Sequence, residues 1–360
     1  KISLSIIGSH TISRGVGSGL KAKLLRLDLT YNLIFKKIIK IYYKYGVTNT
    51  IQMRKIVRSD NEVISSKLYD EFLKSGNLAY RNIDFGDLII DTYLRYKPSG
   101  YFEKADGFVR EIINQAVSDI DKCFEFFEKN EIDVYLATYS TYIQHGIPIR
   151  VALILGVKVF SFGERFGKQL TVEDWSHCAN GMDYKLKEEK LNLNEGDLKI
   201  AEIRLNNRLL GIKDDAVNYL RNDINLKSRF NDIAPGSVVI FLHDFFDSPH
   251  IYKNLIYEDF SKWLVETAEI LNNNRIPFYI KEHPNQIDDS ARYVMNLKKK
   301  YPEFNWIDKS IANLSLGQCD IRYAITVYGT VAHEMAFMGI PTICCADNPH
   351  GAYSFVHQAR

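Results

Sequence analysis

The stretch from Tyr323 to Ala346 constrains the fold more than any other part of this 360-residue sequence. It begins with a short apolar run that Gly329 interrupts, and Thr330 can then cap a helix. Gly339 and Pro341 end that helix, and a second apolar run follows. A strand, a helix and a second strand in this order form a βαβ unit, which requires a parallel sheet. The stretch therefore predicts an α/β fold.

The first turn of this unit gathers hydroxyl groups beside a glycine. Thr326, Tyr328 and Thr330 surround Gly329, and the first N–H groups of the next helix have no partner within that helix. Such a turn can bind a phosphate or another anion without a basic side chain. Taken alone, the stretch is explained equally well as an ordinary βα turn with Thr330 as its cap.

A second segment, farther upstream, favours the ligand site. Lys281, Glu282 and His283 follow an apolar run, and Pro284 then turns the chain. In open parallel sheets, ligands bind outside the carboxyl ends of the strands. Because a histidine and a hydroxyl-rich helix start would meet at that edge, we predict a nucleotide monophosphate or diphosphate there. A sugar-nucleotide site is the leading interpretation.

Composition is that of an ordinary globular protein, with 46% hydrophobic and 25% charged residues. A net charge of +2 gives no general argument for nucleic acid, and we expect no nucleic-acid partner. The five cysteines show no CxxC spacing, which favours a reduced, cytoplasmic location. The sequence has neither an apolar run of membrane-spanning length nor a signal peptide. Both ends of the chain look trimmed.

The clearest domain boundary is Ala234-Pro235-Gly236, after which strands and helices alternate to the end. We therefore predict two α/β domains, residues 1–233 with peripheral helices and residues 234–360, the latter cut short at its C-terminus. The glycines at 15, 17 and 19 lack the spacing and the acidic residue of a dinucleotide fingerprint. They predict a flexible loop instead.

Two further patterns have both a functional and a structural explanation. The basic amphipathic stretch from Leu20 to Tyr45 could lie on an anionic membrane surface, but a solvated face is favoured. Asp87 and Asp91 are one helical turn apart and could share acid–base work. A cap and an ion pair to Arg95 explain them as well, and we favour this structural interpretation.

The loop from His243 to His250 contains two histidines and two aspartates. It lacks the spacing of known metal-binding motifs, so we expect no metal there. Because the loop follows the first strand of the predicted second domain, we expect it to lie over a bound ligand. This interpretation assigns Asp247 and His250 to the donor site, to which we also assign Glu334.

Two segments together resemble a known family. Lys281 to Pro284 and Thr326 to Thr330, continued to Gly339-Ile340-Pro341, are similar to the His-Pro and Ser/Thr motifs of bacterial surface-polysaccharide transferases. The capsule polysaccharide biosynthesis family, which includes Kdo (3-deoxy-manno-octulosonic acid) transferases, carries such motifs. The resemblance is firm over the C-terminal part of the chain and looser before it.

The resemblance implies the GT-B architecture, in which two Rossmann-like domains with parallel sheets face a cleft. It further implies that the two motifs hold the phosphate and nucleotide of the donor. Their counterparts here are His283, Thr326, Tyr328, Gly329 and Thr330. The implied activity is that of an inverting, metal-independent Leloir glycosyltransferase, with a nucleotide sugar as co-substrate and no cofactor. The acceptor would be a growing capsule, O-antigen or related glycan, free or lipid-linked, at the cytoplasmic face of the inner membrane.

The acidic N-terminal motif that supplies the catalytic base in this family is not recognisable. We therefore seek the base by position among titratable residues that follow predicted strands. Glu164 directly follows such a strand and is our first candidate, although a surface pair with Arg165 explains it equally well. His145 is the second candidate, and His10 lies in the glycine-rich loop.

Three other functions remain open. A sugar-nucleotide epimerase shares the expected fold, but it carries acids and an arginine where this chain has Asp347 to His350. A glycerol-phosphate transferase of teichoic-acid type also uses a histidine near phosphate. A carbohydrate-binding module would present aromatic platforms without a phosphate site.

Overall fold

The computed structural model describes residues 4–9, 37, 40, 41, 43, 44, 47–53, 59–97, 99–162, 167–212 and 233–359. The glycine-rich loop with His10, most of the basic stretch at 20–45, and Glu164 lie outside these residues. The chain divides into two compact units, residues 1–98 with 102–177 and residues 99–101 with 178–360. The boundary predicted at residue 234 lies inside the second unit, in which Arg208 also pairs with Glu334.

The first unit combines helices with short strands. Its elements are β1 (Leu4–Ser9), β2 (Val47–Met53), α1 (Ser59–Ser75), β3 (Ala79–Tyr80), β4 (Ile83–Asp84), α2 (Gly86–Tyr96), α3 (Gly107–Lys129), β5 (Val134–Ala137), α4 (Ile143–Ile154), β6 (Lys158–Phe162) and β7 (Gly167–Leu170). The pairs β1–β2 and β5–β6 are parallel, and β5, α4 and β6 form a βαβ unit. Strand β7 pairs antiparallel with β6, since the connection between them is too short for a parallel crossover.

The core of the first unit is formed by apolar residues of α1, α2, α3 and α4. Helix α2 is buried along most of its length, and Leu88, Ile89 and Tyr93 have almost no exposed surface. The guanidinium of Arg150 on α4 donates to both carboxylate oxygens of Asp87 on α2, at 2.8 and 2.5 Å. This partner differs from Arg95, which the sequence suggested, because only the folded chain brings α4 beside α2.

The second unit is built on one six-stranded sheet. Its elements are α5 (Gly181–Glu188), α6 (Glu195–Leu209), β8 (Ser237–Phe241), a 3₁₀ turn (Pro249–Ile251), α7 (Phe260–Asn273), β9 (Phe278–Lys281), α8 (Asp288–Lys300), β10 (Asn305–Ile307), α9 (Asn313–Gly317), β11 (Ile321–Thr326), α10 (Val331–Phe337), β12 (Thr342–Cys344) and β13 (Val356–Gln358). The strand order is β10-β9-β8-β11-β12-β13, and all pairs are parallel.

This order is that of the doubly wound Rossmann sheet, numbered from β8 as 3-2-1-4-5-6. Apolar residues cover both of its faces, with Trp263 of α7 in one cluster and Met335 of α10 in another. The α/β prediction and the βαβ unit around α10 are therefore confirmed. Gly339 ends α10 with a φ of +81°, a conformation that favours glycine.

The predicted cap of α10 is wrong in one detail. Thr330 occupies the N-cap position, but its side chain makes no capping hydrogen bond. Its backbone already has helical angles, φ −63° and ψ −12°, whereas a capping threonine is normally extended. The hydroxyl instead accepts a hydrogen bond from Arg208.

In the described part of the chain, no helix has both the length and the apolar character needed to cross a membrane.

Candidate functional site

The candidate site lies where β8 and β11 run side by side. This is the topological switch point of the sheet, where a crevice opens outside the carboxyl ends of the strands. His243 follows β8, and Thr326 ends β11. Nε2 of His243 lies 3.1 Å from Oγ1 of Thr326. The two side chains therefore join the two halves of the sheet at the point where a ligand is expected.

His243 also organises the turn after β11. The N–H groups of Val327 and Tyr328 donate to Nε2 of His243 at 3.3 and 3.4 Å. Because Nε2 accepts these bonds, the proton of the neutral ring resides on Nδ1. Burial, and then the nearby His283, lower the pKa of His243 to about 3. Its ring stacks on Phe260 and lies 6.1 Å from the ring of Trp263 in a T-shaped arrangement.

Gly329 allows the turn to close tightly. Its N–H donates to Oγ1 of Thr326 at 3.3 Å, and a Cβ atom at this position would lie 2.7 Å from the same oxygen. The N–H groups of residues 327–329 thus bind His243 and Thr326. The sequence predicted an anion site that needs no basic side chain, whereas the structure places cations around the turn.

A cavity of about 200 Å³ opens at this edge. It brings together most of the predicted donor-site residues, namely Lys281, Glu282, His283, Pro284, Thr326, Gly329, Thr330 and Glu334. It also includes residues that were not predicted, among them Arg208, His243, Lys309 and Asn313. Tyr328, Asp247 and His250 are not part of its wall.

Lys281 places a buried amine in the cavity. Lys281 is only 3% exposed, and its Nζ donates a hydrogen bond to the backbone carbonyl of Lys309 at 3.1 Å. Burial lowers the pKa of Lys281 to about 8, although Asp308 and Glu282 act in the opposite direction. The amine is therefore mostly protonated at neutral pH. The neighbouring Glu282 is held by Lys298 and by Gln286, whose amide donates at 3.0 Å.

His283 presents a hydrogen-bond donor. Its Nδ1 accepts from the N–H of Asn285 at 3.3 Å, so the neutral ring carries its proton on Nε2. Burial lowers its pKa, while Asp244 raises it and Lys281 lowers it further. Asp244 itself accepts from the N–H groups of Phe246 and Ile287, at 3.0 and 2.8 Å. The loop after β8 therefore contributes the carboxylate of Asp244, whose negative charge acts on His283.

Arg208 reaches the cavity from α6, a helix that the sequence placed at the periphery. Its Nε donates to Glu334 at 2.6 Å, and Nη2 donates to the hydroxyl of Thr330 at 2.7 Å. The second oxygen of Glu334 accepts from Asn313 at 2.6 Å. Both carboxylate oxygens are thus occupied. No local motif marks Arg208 or Asn313, because only the fold brings them to α10.

Tyr328 lies outside the cavity wall and packs against His243. Its hydroxyl donates to the carbonyl of Ser248 at 2.9 Å, and its ring lies 4.5 Å from that of His243. Asp247 and His250 belong to the same loop, where the N–H of Asp247 donates to the backbone carbonyl of Asp244 at 3.0 Å and closes a turn.

Among the residues that the structure describes, no group of three or more His, Cys, Asp or Glu side chains could hold a metal ion.

The predicted base His145 lies in the first unit. It occupies the first turn of α4, which begins at Ile143 after Tyr142. The helix begins two residues before His145 and therefore includes it. Its ring contacts that of Tyr139 at 5.7 Å, and burial lowers its pKa.

Several solved structures resemble the chain. The UDP-GlcNAc 2-epimerase of Methanocaldococcus jannaschii, in complex with UDP-GlcNAc and UDP, is 14% identical with a TM-score of 0.32, over 99% of this chain and 89% of that one. Thermosulfurimonas dismutans KpsC, a beta Kdo 2,7 transferase, is 11% identical with a TM-score of 0.38, over 67% and 74%. Its beta Kdo 2,4 transferase is 12% identical with a TM-score of 0.35, over 63% and 72%. No protein-family model and no curated protein matches the sequence. The similar structures include both kinds of enzyme that the sequence suggested, the Kdo transferase and the sugar-nucleotide epimerase.

Proposed function

We propose that this protein is a glycosyltransferase that takes its sugar from a nucleotide-sugar donor held in the cavity of the second unit. The observation that carries the proposal is the set of donors at the switch point of the sheet. Lys281 and Arg208 supply positive charge there, and His283 supplies an imidazole N–H. Anionic phosphate is the ligand class that such a set binds best, because charge-assisted hydrogen bonds are the strong ones.

The same groups suit the departure of a nucleotide. When the bond between the anomeric carbon and the phosphate oxygen breaks, negative charge grows on that oxygen. Preorganised cations and N–H groups stabilise this charge without a metal ion. A base accepts the proton of the acceptor hydroxyl, which attacks with inversion. The predicted bases are Glu164 and His145.

The acceptor that we propose is a growing cell-surface glycan, free or lipid-linked, such as a capsule or O-antigen chain. This follows from the His-Pro and Ser/Thr motifs at Lys281 to Pro284 and Thr326 to Thr330. A protein with this role would work on the cytoplasmic side of the inner membrane. A bacterial source and peripheral membrane contact belong to the same proposal.

A ligand screen tests the proposal directly. We expect one of the UDP-, GDP-, dTDP- or CMP-sugars to raise the thermal unfolding midpoint, because a ligand that binds only the native state stabilises it. The stabilising donor is then incubated with the protein, and both the free nucleotide and the sugar are analysed by NMR. Slow transfer of the sugar to water or to an added glycan supports the transferase.

Two outcomes would replace this proposal. Conversion of UDP-GlcNAc into its C2 epimer would make the protein an epimerase. If no nucleotide sugar changes the midpoint while simple glycans do, the protein is a carbohydrate-binding module.

A further inference from the structure

An open groove runs along one side of α6 in the second unit. It has a volume of about 450 Å³ and is lined by Asp197, Ile200, Ala201, Arg204 and Leu205 of α6 and by His333 of α10. The residues of α6 recur at intervals of three and four along the sequence, so they form one stripe on the helix. We call this stripe the groove face of α6. None of its residues lines the donor cavity.

The groove face belongs to a region with exposed apolar side chains. Within the described range 167–212, Ile200 is 53% exposed, and the neighbouring Leu198 and Ile203 are 60% and 50% exposed. By contrast, Leu209 at the C-terminal end of α6 is 6% exposed. The helix therefore packs onto its unit at one end and leaves apolar side chains in solvent along the rest. Clustered apolar surface of this kind marks an interaction site.

The charges of α6 restrict what such a partner is. Three of its side chains are acidic and three are basic, namely Glu195, Asp197 and Glu202 against Lys199, Arg204 and Arg208. Anionic membrane surfaces attract an excess of basic residues, and α6 has none. A fitting partner is instead apolar opposite Ile200, basic opposite Asp197 and acidic opposite Arg204.

The groove face meets these requirements itself when it runs in the opposite direction. From its N-terminal end it presents the acid Asp197, the apolar Ile200 and Ala201, and the base Arg204. In the reverse direction the order is base, apolar, apolar, acid. Two antiparallel copies of α6 therefore place Asp197 opposite Arg204 and Ile200 opposite Ala201. A twofold axis repeats each contact, as in the isologous interfaces of homodimers.

The carboxylate of Asp197 is already oriented by the N-terminal cap of α6. Its Oδ2 accepts from the N–H of Asn194 at 3.0 Å, and the N–H of Asp197 donates to Oδ1 of Asn194 at 3.2 Å. An oriented side chain loses less conformational entropy when it forms a contact with a partner. The small side chain of Ala201 allows a second helix to approach closely, because the distance between packed helices depends on the side chains at the contact.

We propose that the groove face of α6 binds a second copy of this chain, with the two α6 helices antiparallel about a twofold axis that passes between Ile200 and Ala201. Asp197 of each copy pairs with Arg204 of the other, and the apolar side chains meet at the centre. Stable interfaces bury about 1,200–2,000 Å² in total, and one short helix from each copy covers less than that. The dimer therefore dissociates on dilution. This interface does not depend on the transferase activity proposed above.

Charge exchange tests the pairing in the full chain. Arg204→Glu and Asp197→Lys each place like charges opposite one another in the homodimer. In a mixture of the two variants, the unchanged Asp197 and Arg204 face each other, and so do the introduced glutamate and lysine. Lys199→Glu is the control, because Lys199 lies two residues from Asp197 and therefore on the opposite side of α6. Sedimentation velocity over a wide range of concentrations measures the dimer dissociation constant, and thermal unfolding checks each variant first.

We expect the wild-type protein to dimerise as its concentration rises. Arg204→Glu should raise the dissociation constant at least about tenfold, since like charges across an interface are strongly unfavourable, and Asp197→Lys should do the same. An equimolar mixture of these variants should recover most of the association, and Lys199→Glu should behave as the wild type. Because Asp197→Lys also removes a helix cap, Ile200→Ser provides a second test without a change of charge, and it should weaken the dimer as well.

Each contrary result has a definite meaning. A wild-type protein that stays monomeric at high concentration overturns the proposal, and binding of that monomer to phospholipid vesicles would assign the groove face to a membrane surface. If the mixture associates no better than the separate folded variants, the antiparallel pairing is wrong. If Lys199→Glu weakens the dimer as much as Arg204→Glu does, or if Ile200→Ser leaves it unchanged, the two copies do not meet at the groove face.

Discussion

At the scale of single residues, the donor site depends on how the protein controls protonation. His243 and His283 are both neutral, but their protons lie on different nitrogens because different backbone N–H groups bind their rings. His243 faces the turn as an acceptor, whereas His283 presents Nε2–H. The two histidines therefore have different roles, one in holding the turn and one in meeting the ligand.

His283→Ala should weaken the binding of a nucleotide sugar by about 1–3 kcal/mol, the range for a hydrogen bond to a charged group. The physical reason is that the variant lacks the Nε2–H donor. Calorimetric titration of both proteins measures the difference, with the exposed His357→Ala as the matched control. Equal affinities for the wild type and His283→Ala would remove His283 from the site.

Lys281 predicts a pH dependence of donor binding. Its pKa is lowered to about 8, so the amine is charged below that pH and loses its proton as the pH rises through it. Nucleotide affinity should therefore decline above about pH 8, whereas an ordinary lysine would keep its charge to about pH 10. Lys281→Arg stays charged and should remove the decline. Titrations of both proteins across this pH range test the assignment, and a decline that persists in the variant would contradict it.

At the scale of structural elements, the turn between β11 and α10 depends on glycine. Gly329→Ala places a Cβ atom against Oγ1 of Thr326 and should push the hydroxyl away from His243. We expect a loss of about 1–3 kcal/mol in stability, as for other overpacked sites, together with weaker nucleotide binding. Gly107→Ala is the control, because a Cβ there meets no atom within 4 Å. Denaturant unfolding compares the two variants, and equal stabilities would contradict the close approach.

Helices α2 and α4 are joined by a largely buried ion pair. Arg150→Met should remove the guanidinium that pairs with Asp87 and cost about 3 kcal/mol, the lower end for breaking a buried pair, since the Asp87 side chain is 20% exposed. Lys129→Met removes a pair whose side chains are 70% and 56% exposed, and it should cost about 0.5 kcal/mol or less. The free energies of unfolding of both variants test this difference. A similar small loss in both would show that the pair between Arg150 and Asp87 contributes little to stability.

The elements also show what the sequence could predict. The βαβ unit around α10 and the strand before His283 were predictable, because apolar runs and glycine or proline signals lie close together in the chain. Arg208 and Asn313 were not, since their place beside Glu334 depends on how distant segments pack. The peripheral helices predicted before residue 233 include α6, and its charged sequence does not reveal that Arg208 reaches the cavity.

At the scale of the whole molecule, the proposed chemistry uses side chains in place of a metal ion. We expect nucleotide release from the donor to continue at the same rate after treatment with EDTA, because Lys281, Arg208 and His283 supply the positive charge and hydrogen bonds. The rate is measured before chelation, after it, and after Mg²⁺ or Mn²⁺ is added back. If chelation stops the reaction and added ions restore it, the loop from His243 to His250 becomes the first place to look for metal ligands.

The contact between Trp263 and His243 predicts a change in tryptophan fluorescence when a ligand binds at the donor site. Trp263 is fully buried, its indole N–H donates to Sγ of Cys345 at 3.3 Å, and its ring lies 6.1 Å from that of His243 in a T-shaped arrangement. Indole emission responds to the position and charge of neighbouring groups. A ligand that displaces His243 from the turn would therefore change the fluorescence of a tryptophan that it never touches, so that donor binding can be followed in the unlabelled protein.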